Sequence, residues 1–102
     1  MNAWSRICLA CVLTLAAAQS PAAIDCSRPK SGVDWLLCSN DKVAIADHIM
    51  AVAFRAAFHR VEDKDALIQD QERWRRTVRD ACNDVPCLMR AYQDRTSELD
   101  TW

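Results

Sequence analysis

Six cysteines stand in this 102-residue chain, and their spacing is the first chemistry it offers. Cys26 and Cys38 are twelve positions apart and Cys82 and Cys87 only five, while Cys8 and Cys11 lie in an apolar N-terminal run. Paired thiols can hold zinc, carry electrons or cross-link a fold. Zinc and redox sites favour Cys-x-x-Cys, often with histidine close by, and neither of the two later pairs has that spacing. An even count behind a secretory leader reads instead as a disulfide framework. Four cysteines allow three connectivities, and proximity in sequence favours Cys26–Cys38 with Cys82–Cys87.

The remaining candidates for chemistry are polar side chains on helical patterns. Asp47, His48, Arg55 and His59 fall on one side of an ideal helix. A recognition strip or a catalytic cluster would need such a grouping, but a solvated face has it too. No serine, cysteine or metal partner completes a nucleophile or a hydrolytic centre there, so neither an enzyme nor a cofactor or metal site is expected. Asp47 borders the buried stripe and could pair with an arginine such as Arg79. Arg73, Arg75, Arg76 and Arg79 crowd a later helix, which would suit an anion. They alternate with Asp70, Glu72 and Asp80 at helical spacing, and that is the pattern of a balanced, solvated surface.

Residues 1–22 have the form of a cleaved signal peptide. Arg6 precedes the apolar run Ile7–Ala18, and Ser20-Pro21-Ala22 offers small residues for cleavage after Ala22, with Ala18 and Ala23 as alternatives. The run is too short for a stable membrane span, and no cysteine sits where a lipid anchor would be attached. The expected mature chain, residues 23–102, is one domain in a periplasm or outside the cell. A domain of that size buries a limited core and gains from a covalent staple. Cleavage removes one arginine and no acid, so the net charge moves from −1 to −2. That argues against nucleic acid as a partner. The single glycine argues against a turn-rich β fold and against a glycine-rich phosphate loop.

The elements that must position these residues are helices. Val33, Leu36 and Leu37 mark a short helix over 33–38. Ser39-Asn40-Asp41 offers N-cap chemistry for a long helix over 42–61, whose stripe is Val43, Ala46, Met50, Ala53, Phe54, Ala57, Phe58 and Val61. Acids at Glu62, Asp63 and Asp65 open the next helix, with Leu67, Gln71, Trp74, Val78 and Ala81 inward. Pro86 suits a first helical turn, and the last helix, over 87–99, buries Leu88, Ala91, Tyr92 and Leu99. Trp35 and Trp74 are expected in the core. The fold class is therefore an all-α, disulfide-stapled helical hairpin with a third helix folded back and a short N-terminal helix.

The long helix also carries a second apolar stripe, Ile45, Ile49, Val52 and Ala56, roughly opposite the first. If the arm or the last helix does not cover it, it marks a partner site or a homodimer interface. The expected partner-binding residues are Ile45, Ile49 and Val52, with His48 and Arg55 at the margin.

Asp25-Cys26-Ser27, Cys38-Ser39, Val43-Ala44 and Asp47, followed by Gln71, Trp74, Arg79-Asp80-Ala81-Cys82, Cys87-Leu88 and Tyr92, resemble the pattern of the LprI-type lysozyme-inhibitor family across nearly the whole mature chain. Phe54 stands where that family usually has tyrosine. The resemblance implies a small secreted bacterial helical protein whose partner is a lysozyme-type peptidoglycan hydrolase and which inhibits without catalysis of its own. The alternatives are an envelope or stress-related protein with another partner, and an immunity protein against a different peptidoglycan hydrolase. The cysteine pairing is open to direct test. Unreduced peptide mapping is expected to yield peptides joining Cys26 to Cys38 and Cys82 to Cys87, and a peptide joining Cys38 to Cys82 would overturn that pairing.

Overall fold

The computed structural model describes residues 25–102. The leader expected over residues 1–22, with Cys8 and Cys11, lies outside the described residues. The chain forms helix α1 (Gly32–Ser39), α2 (Asp41–Arg60), α3 (Lys64–Trp74), a π-helical segment (Arg75–Arg79) that continues α3, and α4 (Val85–Asp100). No strand occurs among the described residues. None of their helices is long and apolar enough to cross a membrane.

Each helix starts at a residue chosen for its side-chain oxygen. Ser31 Oγ accepts from the Asp34 N–H, Asn40 Oδ1 from Val43, Asp63 Oδ1 from Ala66 and Asp84 Oδ1 from Cys87. Each bond fills one of the backbone donors that a helix start leaves unpaired, an effect of about 1 kcal/mol per cap. The far end of α2 is held by cations. Lys64 Nζ donates to Phe58 O at 2.5 Å and Val61 O at 3.1 Å and stands 4.8 Å from the centre of the Phe58 ring. Arg60 reaches across to Leu99 O at 2.6 Å, tying the end of α2 to the end of α4.

The core draws on every helix: Val33 and Leu37 from α1, Val43, Ala46, Met50, Ala53 and Ala57 from α2, Leu67 and Trp74 from α3, and Leu88, Ala91, Tyr92 and Leu99 from α4. Phe54, Phe58 and Val61 pack against it half-buried. The most extensively packed helix pair is α2 with α4 rather than the sequential pair α2 with α3.

Two inward assignments are corrected. Val78 and Ala81 are exposed, although Leu67 and Trp74 of the same stripe are buried. The cause is the π segment, where the Asp80 N–H donates to Arg75 O five residues back at 2.9 Å. This wider turn inserts one residue into the helical register, so Val78 rotates outward and the Arg79 side chain turns in, with 11% of it accessible. Trp35 is also not core: it is 60% exposed. It stands two positions from both Val33 and Leu37, and residues two apart on a helix do not share a face.

The cysteines close two corners. Cys26–Cys38 joins the N-terminal arm to α1, with S–S 2.05 Å and Cα–Cα 5.5 Å. Cys82–Cys87 spans the turn into α4 with the same Cα separation. Trp74 fills the space between α3 and α4, edge-on to Tyr92 with centroids 5.6 Å apart. Replacing Trp74 by alanine should cost about 3–5 kcal/mol. That corresponds to a fall in Tm of more than about 12 °C for a domain of this size, read by circular dichroism. An unchanged Tm would contradict its place in the core.

Candidate functional site

The second stripe of α2 is open to solvent. Ile45 is 58% exposed and Ile49 52%, and Val52 and Ala56 are exposed with them. It does not lie opposite the buried face. Ile45 and Ile49 share a groove of about 440 Å³ with Met89, Tyr92 and Thr96, so the stripe borders the seam between α2 and α4. The steps of four, three and four residues put these four side chains along one line, the spacing of a helix seam that receives another apolar surface. Aliphatic side chains this exposed and this contiguous are the surface feature that most often marks an interface.

One margin of the stripe carries Arg55 and the His48 imidazole, and Asp41 is exposed one turn before Ile45. His48 and Arg55 are both exposed on the side away from α4, one position N-terminal to Ile49 and to Ala56. Lys42 lines the groove near its other edge. The structure thus places Ile45, His48, Ile49, Val52 and Arg55 on one continuous face of α2. His59, a turn beyond Arg55, is exposed as well.

The floor beneath this face is a polar group in an apolar setting. Tyr92 is 1% exposed, and its hydroxyl lies beside the Asp47 carboxylate and the Arg79 guanidinium without a hydrogen bond of full geometry to either. Burial pushes its phenol well above the usual tyrosine range. The Asp47 carboxylate raises it further, and the Arg79 guanidinium opposes both. Asp47 and Arg79 therefore meet around Tyr92. They form no ion pair with each other among the described residues; Arg79 pairs with Asp80 at 2.9 Å.

The arginine cluster is a balanced surface. Arg73 pairs with Asp70, and Arg75 bridges Glu72 at 2.6 Å and Asp80 at 2.9 Å. A different arginine is buried. Arg95 in α4 is 3% exposed, with Nε donating to Gln71 Oε1 at 2.9 Å and Nη1 to Asp70 Oδ2 at 2.9 Å and Glu98 Oε1 at 3.1 Å. Sequence reasoning missed it, although the signal was present. Arg95 sits on the α4 stripe between Tyr92 and Leu99, where only a paired charge can be buried.

Among the described residues no group of three or more His, Cys, Asp and Glu side chains is arranged to hold a metal ion. No family model, curated protein or solved structure matches the chain.

Tyr92 is the only tyrosine in the chain, so its ionisation can be read directly as tyrosinate absorbance. Its folded pKa is raised, so the folded state keeps a proton that the unfolded state releases. The stabilisation is complete below the unfolded value near 10 and is lost as pH rises above it, by about 1.4 kcal/mol per pH unit. Tyrosinate absorbance is expected to appear together with the loss of helical circular dichroism. Tyr92→Phe should remove that coupled step. Tyrosinate appearing near pH 10 in protein that remains helical would refute the buried assignment.

Proposed function

We propose that this chain is a non-catalytic binding protein that docks an acidic, partly apolar partner on the α2 face of Ile45, Ile49 and Val52. The observation that carries the reading is the exposure of that stripe together with the Arg55 guanidinium and the His48 imidazole at its margin. Apolar burial at the centre of such a face supplies affinity, and the charges at its rim supply steering and selection.

The cysteine frame and the Gln71, Trp74 and Arg79-Asp80 pattern resemble the LprI-type inhibitors, and on that resemblance the partner is a lysozyme-type muramidase met in the periplasm or outside the cell. A muramidase cleft works with two carboxylates. A helix edge offering aliphatic side chains beside an arginine and an imidazole is suited to cover such a cleft without catalysis of its own. An envelope protein with an acidic apolar surface would use the same face.

The test is a cell-wall lysis assay in which purified oxidised protein is titrated against muramidase. Inhibition is expected near stoichiometric amounts. Ile49→Asp should weaken it at least about tenfold, the effect of removing one well-buried aliphatic contact at an interface centre, while circular dichroism and Tm stay unchanged. If Ile49→Asp unfolds the protein, the stripe is core. If it folds and inhibits normally, the docking surface is elsewhere. No inhibition by the native protein, with capture of an envelope protein that Ile49→Asp abolishes, would select the envelope reading.

A further inference from the structure

A second concavity lies on the other side of the molecule, where α3 and its π segment meet the end of α4. It has a volume of about 700 Å³, the size range of small-ligand sites. Trp74 forms part of its wall and Trp102, 39% exposed, its rim. The polar wall is a chain of alternating charges: Arg73 on Asp70, Asp70 on Arg95, and Arg95 on Glu98. Two guanidinium groups face two carboxylates, so the groove carries no net charge.

That composition selects among ligands. An anion gains from Arg73 and Arg95 but meets Asp70 and Glu98, and a cation meets the reverse. A neutral polyhydroxylated molecule can use both, since each hydroxyl donates to a carboxylate and accepts from a guanidinium. The exposed Trp102 indole offers an apolar platform for the C–H face of a ring, while Trp74, 6% exposed and covered by the Arg95 guanidinium, closes the wall behind it. One donor group is also unspent. Arg95 Nη2 has no hydrogen-bond partner, although Nε and Nη1 are satisfied. An unpartnered buried donor is a defect that an incoming acceptor would relieve. Nη2 is itself buried, so a ligand hydroxyl reaches it only when a neighbouring side chain moves aside.

We propose that the groove between Trp74 and Trp102 is a saccharide-binding subsite, taking a neutral sugar of two or three units against Arg95, Asp70 and Glu98. It shares no lining residue with the α2 face, and its test is independent of that reading.

The probes are maltotriose and N,N′,N″-triacetylchitotriose, with sodium phosphate as the anionic control, titrated into isotopically labelled oxidised protein. At least one sugar is expected to shift the Trp74 and Trp102 indole N–H resonances saturably, with a midpoint below about 10 mM, a weak affinity for a site this open. Glu98→Gln and Trp102→Ala, both at exposed positions, should weaken the binding seen at Trp74 by about threefold to tenfold without changing the circular dichroism spectrum. Ile49→Asp should bind the sugar as the native protein does. Two results would overturn the proposal: neither sugar saturates, or phosphate moves the same resonances while both sugars leave them still.

Discussion

The guanidinium of Arg95 is the interaction on which the arrangement of α3 and α4 depends. It is the one buried charged residue among those described. A charge taken out of water is tolerated only when opposite charge and hydrogen bonds replace the lost hydration. Asp70 and Gln71 on α3 and Glu98 on α4 provide both. Gln71 in turn approaches Met50 Sδ on α2 at 3.1 Å, so three helices converge on one side chain. Such pairing mainly offsets the cost of burial. Its larger effect is on geometry, since a planar group with three bound acceptors leaves α3 little freedom to slide along α4. Trp74 completes the arrangement, its ring centre 5.9 Å from the guanidinium carbon.

The π segment follows from the same constraint. Trp74 must face α4, and Cys82 must reach Cys87 at the next corner. A regular helix continuing from Trp74 would carry Val78 inward instead of Arg79. One wider turn lets both ends keep their places and brings Arg79 beside Tyr92, where its charge opposes that of Asp47. A polar group thus faces the phenol hydroxyl at a position that the heptad-like pattern reserves for an aliphatic residue.

Much of the architecture was legible because its determinants are local. The cap at Asn40, the acids that open α3, the proline in the first turn of α4, and period-3.6 stripes in α2 and α4 each depend on a few adjacent residues. Both cysteine pairs were legible for the same reason. What escaped depends on contacts between distant segments. Val78 and Ala81 were misplaced because a π turn leaves no signature in the pattern Trp-Arg-Arg-Thr-Val-Arg. Trp35 was misplaced because bulk was given more weight than face. Arg95 was passed over because two of its three partners, Asp70 and Gln71, lie more than twenty residues away. For the candidate site, the stripe of Ile45, Ile49 and Val52 could be read from spacing alone. Its exposure could not, since that turns on where α4 lies.

That stripe is carried on a helix, and this has a bearing on how the chain behaves in a crowded compartment. Every backbone N–H and C=O beneath it is already spent within α2. A sheet edge with the same aliphatic side chains would also offer unpaired backbone groups and invite strand addition that grows without limit. Here contact can be made through side chains only, and the apolar line ends after four residues, at His59. A face built this way offers a partner four aliphatic side chains and no free backbone, so it is no template for growing assemblies.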